Sequence, residues 1–259
     1  MSPAPTSWPD YLSDFHRQRP GITEDVLSVS RSRCGLTPYD WITAPIPLGA
    51  RTLDLACGSG ASLRVRGRDP WIGLDRSASE LARARRAGST NVLEGDATSL
   101  PFGDESFDAV VCSMALMLIE PIERALDEAR RVLAPEGFFV ATLPGRRPLR
   151  ARDVVRYTRL VRRLGLVRLN YPNMRALADA SALARDHGFE LVEDVRTRFD
   201  YPIATSEEST RFVRSLYVPS VASARIERAD ALAATWVGSS IGIPLRRLTM
   251  VRASTKRER

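Results

Sequence analysis

Cysteine, histidine and lysine are scarce in this 259-residue chain, which has three, two and one of them, and each scarcity removes a class of chemistry. Cys34, Cys57 and Cys112 are odd in number and show no C-x-x-C spacing, so neither a disulfide framework nor a cysteine-rich zinc site is expected, and no metal site is predicted. A reducing cytoplasm fits such usage. With only His16 and His187, few side chains change charge near neutral pH. No Gly-Lys-Ser/Thr triplet occurs, which excludes a P-loop. The longest apolar stretch, residues 109–119, falls well short of the ~20 residues that span a bilayer, and Met1 to Asp10 has neither a basic start nor an apolar run. Neither a membrane span nor a secretory leader is expected.

The positive charge has an unusual make-up. Lys256 is the sole lysine against 37 arginines, and the formal net charge is +7. So lopsided a ratio reads as coding bias, and it leaves nucleic acid, anionic lipid and acidic substrates open as partners. With 44% hydrophobic residues the chain can bury a full core as one large domain.

Residues 1–47 read as a helical cap: short helices broken at Pro20-Gly21, with Thr23 placed to cap a helix whose first turn carries Glu24 and Asp25. From Arg51 strands alternate with helices. Leu53 to Cys57 and Trp71 to Leu74 are apolar runs of buried-strand length, the first ending in Gly58-Ser59-Gly60 and the second in Asp75. Ser77 and Glu80 stand at capping-box spacing ahead of an alanine- and arginine-rich helix that stops near Gly88. Asn91 to Leu93, Phe107 to Ser113 and Gly137 to Thr142 are the next strands, with a helix from Pro121 to about Leu133 between the last two. A helix from about Asn173 to His187, a strand from Leu191 to Arg198 and a final strand from Leu245 to Ala253 complete the pattern, with about forty residues of helical character between those last two strands. Such alternation predicts an α/β fold around a doubly wound, mostly parallel sheet.

A glycine-rich turn between a strand and a helix lets bare backbone approach a ligand at the carboxyl edge of the sheet. Asp54-Leu55-Ala56-Cys57-Gly58-Ser59-Gly60 is such a turn, and alone it is a weak signal. Asp75 at the end of the second strand and Asp96 in the loop after the third add two carboxylates, one suited to vicinal ribose hydroxyls and one to an exocyclic adenine amine. The pair is shaped for adenosine. A nicotinamide cofactor is the rival, but its third fingerprint position wants Gly or Ala where Leu63 stands.

On these residues the chain resembles the class I S-adenosylmethionine-dependent methyltransferases, particularly the small-molecule branch that includes ubiquinone and menaquinone C-methyltransferases. The resemblance covers about residues 50–145 and is most specific over residues 94–102, residues 105–110 and residues 131–137. It implies a seven-stranded Rossmann-like sheet with an N-terminal cap over residues 1–47, a cofactor core over 48–145 and a substrate-side half over 146–259 carrying a helical lid at about 205–243. It also implies that Asp54, Ala56, Gly58 and Gly60 line the methionine end of S-adenosylmethionine, that Asp75 holds the ribose, that Asp96 and the Ala97 backbone read the adenine, and that Ser113 and Met114 lie beneath the sulfonium. The sequence departs from the family at Ala56, where a glycine is usual, and at Met117, where many relatives carry histidine, which leaves the catalytic base unassigned.

His16 is the one candidate base, set against the plain reading of an exposed histidine on an amphipathic helix; His187 reads as a favourable charge at a helix C-terminus. Cys57 and Cys112 read as structural thiols. The arginine run from Arg146 to Arg168 argues for a polyanionic partner, but Tyr157 is its only aromatic, and no Asn/Asp-Pro-Pro-aromatic segment follows the fourth strand, so nucleic acid is disfavoured. The expected activity is methyl transfer to an oxygen, nitrogen or carbon of a small metabolite. RNA methylation and cofactor binding without catalysis are the alternatives.

Overall fold

A computed structural model describes residues 7–67 and 69–254. Met1 to Thr6, Arg68 and the segment that holds Lys256 lie outside the described residues. In chain order the elements are α1 (Trp8–Gln18), α2 (Ile22–Leu27), α3 (Pro38–Thr43), β1 (Thr52–Leu55), α4 (Ala61–Val65), β2 (Trp71–Asp75), α5 (Ala78–Arg86), β3 (Val92–Glu94), β4 (Phe107–Ser113), α6 (Ile122–Val132), β5 (Leu133–Pro144), α7 (Ala151–Leu164), α8 (Ala180–Asp186), β6 (Phe189–Ile203), α9 (Ser206–Arg214), α10 (Ser223–Ala234) and β7 (Ser239–Arg252). The seven strands form one sheet in the order β3-β2-β1-β4-β5-β7-β6. The pairings of β1 with β2, β1 with β4, β2 with β3 and β4 with β5 are all parallel, as the strand-helix alternation predicts.

The chain divides into two units, each assembled from separated segments. The larger comprises Tyr39–Pro144, Tyr171–Val195 and Arg246–Arg259; the smaller comprises Met1–Pro38, Gly145–Asn170 and Arg196–Leu245. In the larger unit every residue of β1 is buried, Thr52 and Asp54 as well as Leu53 and Leu55, as in a parallel strand covered on both faces. Ile42 and Ile46 pack with Leu63, Trp71, Leu81, Val111 and Val140 into a core where each large side chain contributes about 1.5–3 kcal/mol. In the smaller unit the core gathers Leu160 and Leu164 of α7, Tyr201 and Ile203 of β6, Phe212 of α9, Ala229 and Ala233 of α10, and Trp236. Tyr201 stacks on Phe212 at 5.9 Å, and Trp236 meets Phe212 edge-on at 6.5 Å.

Several elements differ from the sequence expectation for identifiable reasons. The first strand ends at Leu55, two residues early, because Ala56 takes a left-handed conformation with φ of 55°. Gly21, with φ of 74°, caps α2 in place of Thr23, whose hydroxyl lies 3.3 Å from that of Tyr217. Ser77 does cap α5, accepting a hydrogen bond from the Glu80 N–H, but the Ser77 N–H donates to Asp75 and the Glu80 side chain is buried. The helix expected over residues 173–187 is instead two short 3-10 turns, Pro172–Met174 and Ala176–Asp179, followed by α8. The Asn173 side chain donates to Leu116 O and Ile119 O, at 2.9 and 2.6 Å, and fixes that segment in place of a regular helical start.

Candidate active site

β1 lies between β2 and β4, so the carboxyl end of β1 is where the strand order reverses, the place at which open α/β sheets leave a crevice. The bend after β1 occupies it, all within the larger unit. Ala56, Gly58 and Gly60 have φ of 55°, 54° and 81°. A side chain at Gly60 would be strained by that φ and would also meet the Ser89 hydroxyl at 2.7 Å, so only glycine lets the backbone turn so closely.

Asp75 fixes the bend from the neighbouring strand. One of its carboxylate oxygens accepts from the Gly58 N–H at 2.8 Å and the other from the Ser77 N–H at 2.8 Å. A single side chain thus ties the β1 bend to the start of α5. Glu80, on the first turn of α5, is buried near Gly58. Sequence reasoning missed this by treating Glu80 as a cap; its place on the first turn after Asp75 was the available signal.

Asp54 is the most unusual group of the site. It is 1% exposed, and neither carboxylate oxygen has a hydrogen-bond partner of good geometry. Burial pushes its pKa up to about 8; the nearby Ser62 hydroxyl favours the charged form and the Asp75 charge opposes it. The two nearby thiols are inert at neutral pH, since burial raises Cys57 well above its ordinary range and Cys112 to about 12.

β2 pairs with β3 so that Asp75 stands opposite Glu94, and the Gly95 N–H donates to Asp75 O at 3.0 Å. Asp96 therefore follows directly at the next strand end. Its Oδ1 accepts from the Thr98 N–H and hydroxyl, both at 2.8 Å, which holds its carboxyl below the usual range. Ala97 is buried. The loop beyond is clamped by Arg131, which donates to Phe102 O, Leu100 O and Asp104 and pairs with Glu128, while Glu128 accepts from the Leu100 N–H at 2.7 Å.

After β4, the Ser113 hydroxyl lies 3.3 Å from that of Thr142, and Met114, with φ of 56°, donates its N–H to Thr142 O at 2.9 Å. Met117 is fully buried. The structure thus brings Asp54, Ala56, Gly58, Gly60, Asp75, Asp96, Ala97 and Ser113 to consecutive strand ends of one unit. His16 belongs to the smaller unit, where its Nε2 is 3.5 Å from the Tyr217 hydroxyl. His187, at the C-terminus of α8, is 2.7 Å from Asp127.

Residues 53–141 match the model of the methyltransferase domain family. Among curated relatives, the chain is 35% identical over 127 residues to the demethylmenaquinone methyltransferase of Renibacterium salmoninarum, covering 46% of this chain and 51% of that protein. It is 35% identical over 107 residues to the 2-phytyl-1,4-naphtoquinone methyltransferase of Thermosynechococcus vestitus, covering 38% and 47%. The chain thus spans about half the length of the curated relatives it matches. Solved structures of similar fold include the [4+2]-cyclase SpnF, with a TM-score of 0.58 and 22% identity over 96% of this chain and 97% of that one. A methyltransferase of Thermotoga maritima described as S-adenosylmethionine-dependent has a TM-score of 0.54 and 18% identity over 95% and 100%. That a cyclase shares the architecture shows that the fold alone does not decide the reaction. The sheet order and the strand-end residues of the matched span, residues 53–141, resemble those of the class I, S-adenosylmethionine-dependent methyltransferases.

Proposed function

We propose that the chain transfers a methyl group from S-adenosylmethionine to an oxygen, nitrogen or carbon of a small, partly apolar acceptor. The observation that carries this reading is Asp54: a buried carboxylate without a partner is costly, and the ammonium of the cofactor's methionine end is the counter-charge it lacks. When bound, the cofactor supplies a methyl group already activated for displacement by its sulfonium. Gly58 and Gly60 keep the backbone bare on the approach, and Ala56 is small enough to do the same. Asp75, at the end of β2, would accept from the vicinal ribose hydroxyls. Asp96 and the Ala97 N–H would hold the adenine edge, and Ser113 and Met114 would line the end of the site that holds the methyl group.

The remaining task is alignment of the acceptor at ~3 Å in line with the breaking bond, which needs no acid on the leaving side. An acceptor that must lose a proton needs a base. The quinone rings in the names of the relatives suggest an aromatic ring bearing an apolar tail as the acceptor class. The unpaired thiols Cys34, Cys57 and Cys112 suit a cytoplasmic enzyme. Among the described residues no helix is long and apolar enough to cross a membrane.

Titration calorimetry with S-adenosylmethionine and S-adenosylhomocysteine tests the cofactor, and incubation of deuteromethyl cofactor with a demethylated naphthoquinol or a metabolite extract tests the transfer. The expected result is saturable binding of both forms and a mass-shifted small-molecule product. No binding of either form overturns the proposal. Label entering RNA instead of small molecules overturns the acceptor class.

A further inference from the structure

Residues 146–168 carry nine arginines and a single acid, Asp153, which is fully buried. Within this stretch α7 turns Asp153, Leu160 and Leu164 inward. At about 100° per residue that leaves Val155 on the outer face with Arg159 and Arg162 one and two turns on. Val154 and Val155 are each 50% exposed, and Val167, just past the Gly165 cap, is 99% exposed. These are three of the nine large hydrophobic side chains that the described residues expose. Among the described residues no carboxylate pairs with Arg159, Arg162 or Arg163.

We propose that this face docks the chain reversibly on an anionic phospholipid bilayer, with the guanidiniums among the headgroup phosphates and the valines at the acyl boundary. A one-signed, unpaired cationic face complements an anionic leaflet, and apolar side chains set among the cations are what an interfacial helix needs and a solvated surface does not. Nucleic acid would use the same charge but asks for stacking planes facing outward. The only aromatic of the stretch, Tyr157, is turned the other way: its hydroxyl donates to Gly242 O at 3.1 Å and its ring packs against Phe212. The proposal is independent of the methyl-transfer reading, so circular dichroism and thermal unfolding serve as the controls for an intact fold.

The test is co-sedimentation of the full chain with vesicles of phosphatidylcholine alone and of phosphatidylcholine with phosphatidylglycerol, at low and at physiological salt. Binding is expected on the anionic vesicles only, falling as salt rises. Each arginine near a charged leaflet is worth about fivefold, so R159E/R162E is expected to weaken binding at least about twentyfold. V155S/V167S is expected to weaken it several-fold at unchanged charge. Both variants should keep the parent melting temperature. No binding to anionic vesicles, or binding unmoved by R159E/R162E, overturns the proposal. A single-stranded RNA that displaces the vesicles while V155S/V167S binds them at full strength also overturns it, and marks the face as a polyanion site.

Discussion

Asp54 and Asp153 are both buried carboxylates, one at the first strand end of the larger unit and one on α7 of the smaller, and they differ in what surrounds them. Asp153 accepts from Arg198 Nε at 3.0 Å and from the Arg150 and Gly242 N–H groups, and Arg198 is held in turn by Asp200. Asp54 has no such partner. A carboxylate satisfied from several sides holds a fold together, whereas one buried and left bare marks a place where the fold is incomplete without something from outside. Burial alone would not have separated a structural group from a ligand-ready one.

That contrast can be broken by substitution. The largest effect is expected for Asp153→Ala, which leaves Arg198 with less than its full counter-charge in a buried place and should destabilise the protein by about 3 kcal/mol or more, read from urea unfolding. Asp75→Ala removes the acceptor for the Gly58 and Ser77 N–H groups as well as the proposed ribose contact. Cofactor affinity should fall at least about a hundredfold by calorimetry, and an unchanged affinity would remove Asp75 from the site.

Asp54 should show the opposite sign to Asp153. Its folded pKa of about 8 lies above the ordinary carboxyl value, so the ligand-free native state holds the proton more tightly than the unfolded chain. Stability from this group is therefore greatest below pH ~4 and lost as pH rises to about 8. Asp54→Asn should flatten that slope and stabilise the ligand-free protein at pH 7, while weakening cofactor binding. In the parent protein, cofactor affinity should rise from pH 6 towards pH 8 with release of a proton, seen by calorimetry in buffers of different ionisation heat. A flat profile would show that no cation meets Asp54. The smallest effect is expected at Ala56, where Ala56→Gly relieves a left-handed φ and should raise stability by about 1 kcal/mol or less in thermal unfolding.

Much of the larger unit was legible before any coordinates, because its signals are local. A buried parallel strand is an apolar run, a tight turn needs glycine, and carboxylates at strand ends recur at short spacing, so Asp75 and Asp96 could be placed by counting. What was missed there involves side chains answering to distant partners. Glu80 has the spacing of a cap yet turns inward, and Asn173 answers to carbonyls of residues 116 and 119.

The smaller unit was far less legible. Its core joins residues 26, 160–164, 201–241 from three separated stretches, and no periodicity within one stretch states which other stretch it meets. The charged sequence of α7 did not say that Asp153 would be buried against Arg198 or which valines would stay outside. By itself the sequence determined the alternation of strands and helices, the glycine bend and the carboxylates at the strand ends, since backbone sterics and the burial of apolar runs act over a few residues. Only the tertiary structure decided that Asp54 is left bare while Asp153 is satisfied. Desolvation and hydrogen bonding depend on every neighbour in space, and a chain read in order does not list them.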